Sequence, residues 1–148
     1  MILFRFIGST IANRPMIPVF FDCRSLKVSG IVNFLVDTGS IFSALSEKQA
    51  TLMKIDSSLL PESKGKAVGF GGTFKTRMIN HPVNLIFESG NDKFKVNYDS
   101  GFRVNCTPKD AREEDKELML RHTPSVLGMD VLSNFEVRID KKKVELIR

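Results

Sequence analysis

The chain has 148 residues, 42% of them apolar and 26% charged, and its 22 basic and 17 acidic residues leave a net charge of +5. This suits one domain with one sizeable core and excludes collagen-like and generally disordered chains. No 18-residue apolar run is present, so neither a membrane-spanning helix nor a membrane partner is expected.

In chain order, the opening residues 1–7 are apolar but carry no basic leader or small-residue cleavage site, so they are not read as a secretory signal. Residues 16–21 and 30–36 are rich in β-branched and aromatic side chains and read as strands. Ser46-Glu47-Lys48-Gln49 has capping-box spacing, which predicts a short helix through Ala50, Leu52 and Met53. Residues 66–76 read as a hairpin with a glycine-rich tip at Gly71-Gly72. A second hairpin is expected from residues 82–87 and 93–98, with 88–92 as its turn.

The polar stretch 107–123 has good helix formers and few apolar anchors, and reads either as a surface helix or as a mobile loop. A short helix is expected after Gly128. Residues 135–139 and 144–148 alternate with period two. Between them, Lys141-Lys142-Lys143 reads as a solvated hairpin turn rather than a nucleic-acid patch. The class is mainly β.

The informative segment is Phe34-Leu35-Val36-Asp37-Thr38-Gly39-Ser40, an apolar strand that stops at a carboxylate followed by Thr, Gly and Ser. A carboxylate at the end of a buried strand must be paired or used, because burying a lone charge is costly. Glycine permits a sharp turn, and the hydroxyls of Thr38 and Ser40 supply hydrogen bonds. Alone, the tetrapeptide is equally a turn. A second segment, Val126-Leu127-Gly128-Met129-Asp130, places an apolar pair before a glycine and a helix start.

Together these segments resemble the signature of retropepsin-like aspartic proteases, in which a later apolar-apolar-Gly segment crosses behind the Asp-Thr-Gly loop. The resemblance implies a closed β-barrel lobe with a flap hairpin and one or two short helices, spanning residues 1–148 as one domain with 107–123 as a polar insertion. With a single Asp-Thr-Gly-Ser, the chain would be one lobe, and two copies would form a homodimer that pairs two Asp37 carboxylates. The resemblance implies that this dyad activates water on a peptide bond. Thr38 would hold the two loops together, Gly39 would offer its backbone to substrate, and Ser40 would hydrogen-bond the carboxylate. Substrate, an extended peptide or unfolded protein, would meet the flap around Phe70, Gly71 and Gly72. Ile41, Phe42, Phe70 and Phe74 would line apolar pockets, while Val126, Leu127, Gly128 and Asp130 would support the site from behind.

There are departures. Ile41 and Met129 stand where viral members carry Asp and Arg, so their supporting ion pair is missing. One or both of the apolar ends, residues 1–7 and 144–148, are expected to pair across the two-fold axis. No cofactor is implied. A metal site from Cys23, Cys106, His81 and His122 lacks any close ligand pair. Two cysteines make no disulfide framework and read as small core residues in a reducing, cytoplasmic setting. The rival reading is the same fold retained as a catalytically inactive peptide-binding or dimerisation module. A basic nucleic-acid-binding barrel is a third reading, disfavoured because no aromatic platform interleaves with the basic residues.

Overall fold

The computed structural model describes residues 4–69, 72–108 and 110–148. The chain opens with a hairpin of β1 (Arg5–Ile11) and β2 (Arg14–Cys23). Its two turn residues, Ala12 and Asn13, both take positive φ (50° and 63°), the backbone that lets a two-residue turn follow the strand twist. β3 (Val28–Val36) pairs antiparallel with β2 from Met16↔Leu35 to Cys23↔Val28. Next come β4 (Ala44–Ser46), helix α1 (Glu47–Leu52), and the antiparallel pair β5 (Glu62–Gly69) and β6 (Gly72–Ile79). β7 (Val83–Ser89) and β8 (Asp92–Tyr98) form the second hairpin, followed by β9 (Phe102–Cys106) and helix α2 (Glu113–His122). The chain ends with β10 (Ser125–Leu127), helix α3 (Met129–Leu132), β11 (Glu136–Ile139) and β12 (Lys143–Ile147).

Alternation builds the core. Ile17, Val19, Phe21 and Cys23 of β2 face inward with Val32, Phe34 and Val36 of β3, all buried. Five phenylalanines (Phe6, Phe21, Phe34, Phe87 and Phe102) are 2% exposed or less. Each such burial stabilises by about 1.5–3 kcal/mol. Phe6, Phe87 and Phe135 meet pairwise with ring centroids 5.2–6.0 Å apart.

The strand order is β11-β12-β1-β2-β3-β10-β4-β9-β6-β5, with the β7–β8 hairpin branching from β2. Among the described residues this path is an unclosed, mixed sheet, and it does not show the expected closure into a barrel. The branch arises because one edge of the long β2 is shared. Residues 14–16 pair with β1, and residues 20–22 pair with β7.

Two further expectations change. The ends of the chain pair with each other within one protomer, from Arg5↔Ile147 to Ser9↔Lys143, rather than across a two-fold axis. β12 therefore lies between β1 and β11 with Val144 and Leu146 fully buried. The turn of the second hairpin is also tighter than residues 88–92. Strand pairing continues to Ser89↔Asp92, which leaves Gly90 and Asn91 to turn.

Gly90 takes φ +60°, and nothing lies within 4 Å of where its Cβ would sit. Gly90→Ala is thus expected to cost about 1 kcal/mol through backbone conformation alone. A denaturant titration that shows no loss would contradict this.

The polar stretch resolves to a helix. Acidic Glu113, Glu114 and Asp115 occupy the first turn of α2, and Arg121 and His122 the last, as the helix dipole favours. Its one buried anchor is Met119. Lys141 and Lys142 form the turn and Lys143 already opens β12; the Asp140 carboxylate accepts there from the backbone N–H groups of Lys142 (2.7 Å) and Lys143 (2.9 Å). Those bonds hold Asp140 below the usual carboxylate range.

Candidate active site

β3 delivers the site. Val36 is its last inward residue, and the next, Asp37, is half-buried where the chain leaves the sheet. The Asp37 N–H donates to the carbonyl of Leu127 (3.0 Å), and the Ser40 N–H closes the turn onto the Asp37 carbonyl (3.2 Å). Gly39 donates its N–H to Asp37 Oδ1 at 2.9 Å. A Cβ on Gly39 would lie 3.2 Å from that same oxygen, so glycine keeps this approach unobstructed. Thr38 and Gly39 are exposed at the tip. Ser40 departs from its expected role, because its hydroxyl donates to the Phe42 carbonyl (2.9 Å) rather than to the carboxylate.

The loop is held from behind by the second segment. β10 lies parallel to β3, with Leu127 opposite Val36. Gly128 then presses against the loop. A Cβ there would sit 2.7 Å from the Ser40 carbonyl oxygen and 2.8 Å from the Phe42 carbonyl carbon and oxygen. The first N–H groups of a helix have no partner inside it. In α3 these groups bind the loop, Met129 to the Ser40 carbonyl (2.7 Å) and Asp130 to the Ile41 carbonyl (3.0 Å).

Asp130 is the hub of this support. Ser43 donates its hydroxyl to Asp130 Oδ1 (2.7 Å) and its N–H to both carboxylate oxygens (3.1 Å each). The Tyr98 hydroxyl donates to Asp130 Oδ2 at 2.9 Å. The Ser43 oxygen in turn accepts from the Gly128 N–H (2.9 Å). Burial, reinforced by the Asp130 charge, pushes the Tyr98 phenol far above its ordinary value, so it remains a donor. Ser43 and Tyr98 escaped the sequence reading, and the one sequence signal was a lone Tyr ending an alternating strand. Removing a hydrogen bond to a charged group costs about 1.5 kcal/mol. Tyr98→Phe is expected to lose that much stability in a thermal melt, and an unchanged melt would show the bond to be idle.

No protein-family model matches the sequence, and no curated protein matches it. Among solved structures, a retropepsin-like aspartic protease from Rickettsia conorii is similar over 97% of this chain and 99% of that chain, at 22% identity and a TM-score of 0.58. The fold is retropepsin-like. The EIAV protease complexed with the inhibitor HBY-793 also matches, at 18% identity and a TM-score of 0.46, over 84% of this chain and 89% of that chain.

In this retropepsin-like fold the other expected site residues separate into two groups. Ile41 (70% exposed) and Phe42 (49% exposed) are open to solvent just beyond Asp37. The guanidinium of Arg103, from β9, lies over the Phe42 ring at 3.8 Å from its centroid. Phe74 is corrected. It is 3% exposed, on the face of β6 that also buries Thr76, and it offers no surface to a peptide. Phe70 and Gly71 lie outside the described residues, while Gly72 opens β6 opposite Gly69. Val126 is half-buried, and Leu127 is fully buried.

Cys23 and Cys106 are both buried and unbridged. Burial and the nearby Glu47 charge push the Cys106 thiol up to about 11, which keeps it protonated at neutral pH. Among the described residues no three His, Cys, Asp or Glu side chains gather as a metal site. Among the described residues no helix is long and apolar enough to cross a membrane.

Proposed function

We propose that the chain is one protomer of a homodimeric aspartic endopeptidase. The observation that carries this reading is the Asp37 loop. Its carboxylate sits half-exposed at a tip formed by Thr38 and Gly39, and Gly128 and α3 pin that tip from behind. The retropepsin-like fold supports the same reading, as does its likeness to a retropepsin-like aspartic protease.

Chemistry then requires a second carboxylate. Two carboxylates about 3 Å apart repel too strongly to carry two charges, so the proposed dyad shares one proton. The ionised member takes a proton from water as it attacks the scissile carbonyl, and the protonated member stabilises the tetrahedral oxygen and later serves the leaving amine. In each protomer Gly39 fixes one carboxylate oxygen through its N–H. Thr38 would meet its counterpart across the axis. Ile41 and Phe42 would receive side chains of an extended peptide, and the β5–β6 hairpin would act as the flap. Such a dyad needs neither cofactor nor metal. The two unbridged cysteines suit a reducing, cytoplasmic setting.

The first test is the solution mass across a concentration series. The reading expects a monomer–dimer equilibrium, with cleavage of an apolar peptide rising in step with the dimer. A chain that stays monomeric at high concentration would overturn it.

A further inference from the structure

Among the described residues, one cation beside the site pairs with no anion. The Arg103 side chain is half-exposed and, among the described residues, makes neither an ion pair nor a hydrogen bond. Its one contact of note is the Phe42 ring. Its register neighbours, Ala44 on β4 and Met78 on β6, are uncharged. Asp130, which supports this loop from behind, is already bound by Ser43 and Tyr98. An arginine held over an aromatic ring loses side-chain freedom, yet keeps N–H donors for a carboxylate, which it can grip with two parallel bonds.

Resting on the peptidase reading, we infer that Arg103 and Phe42 form a specificity subsite for an acidic side chain of the peptide. An extended peptide advances about 3.4 Å per residue and turns alternate side chains to the same face. Phe42 is five residues beyond Asp37 in the chain, and the acid is accordingly assigned to a position flanking the cleaved bond. The Phe42 ring walls the subsite, and the Arg103 guanidinium binds the Asp or Glu carboxylate. The chain's net charge of +5 favours the approach of such a peptide.

The test uses peptides with blocked termini and one apolar cleavage site, each carrying Glu or its isostere Gln at a single flanking position. The wild-type protein should show kcat/KM roughly tenfold higher for Glu at one position, the size expected for a charge-assisted bond. The preference should shrink at high salt. It should collapse to about unity in Arg103→Gln and partly return in Arg103→Lys, which keeps the charge without the fork.

Efficient cleavage with no Glu preference, or a preference that survives Arg103→Gln, would overturn the subsite and leave the peptidase reading standing. Fluorescence polarisation of the same peptides separates the opposite case. If nothing is cleaved but Glu peptides still bind roughly tenfold more tightly than Gln peptides, and only with Arg103 present, the subsite stands and the peptidase reading fails. Equal binding, or none, overturns the subsite.

Discussion

Gly128→Ala is expected to lower the melting temperature and to silence the site together. The added Cβ would fall 2.7 Å from the Ser40 carbonyl oxygen and 2.8 Å from the Phe42 carbonyl. These are backbone atoms, and the nearby bonds from Met129 and Asp130 prevent the loop from sliding away cheaply. Overpacking of this kind costs about 1–3 kcal/mol, or about 3–10 °C in a chain of this size. Relief of the clash must push out the 40–42 backbone, which carries Asp37 with it. Peptide cleavage should therefore fall far more than the unfolded fraction explains. Thermal denaturation and a cleavage assay on the same sample decide this. A variant that melts and cleaves like wild type would show that β10 and α3 do not set the loop.

Asp37→Asn should reduce cleavage by about a hundredfold to ten-thousandfold, the range for losing positioned acid–base catalysis. Stability and association should hold or rise slightly. The amide oxygen can still accept from the Gly39 N–H, and two closely facing carboxylates are removed. The wild-type rate should respond to statine-type transition-state mimics and ignore chelators and thiol reagents. Equal cleavage by both proteins would place the activity elsewhere. A stable dimer that cleaves nothing would favour the inactive peptide-binding module.

The parts of this molecule legible in its sequence are those whose physics is local. Residues 16–21 and 30–36 declare strands through β-branched and aromatic content. Ser46 declares a helix start, and its oxygen does accept the Gln49 N–H (3.1 Å). The Asp37 loop and the Val126–Leu127–Gly128 segment were readable because each compresses its chemistry into a few residues.

What was hidden depends on the tertiary fold. Ser43 and Asp130 lie 87 positions apart, and neither shows a local pattern that points to the other. β4 and β10, of three residues each, are too short for any periodicity to register. Phe74 beside a glycine-rich tip looked like a pocket wall, yet β6 turns that face inward, where Thr76 is buried too. The terminal strands looked like unpaired edges because nothing local shows that β1 and β12 meet.

The central claim is that one catalytic site is assembled from two Asp37 side chains. Mixing wild type with Asp37→Asn at constant total protein, under conditions where protomers exchange freely, tests it most directly. If both carboxylates are needed, activity follows the square of the wild-type fraction, so an equal mixture retains about one quarter of the wild-type rate. Activity that falls only in proportion to the wild-type fraction would mean that each protomer works alone, and would contradict the shared site.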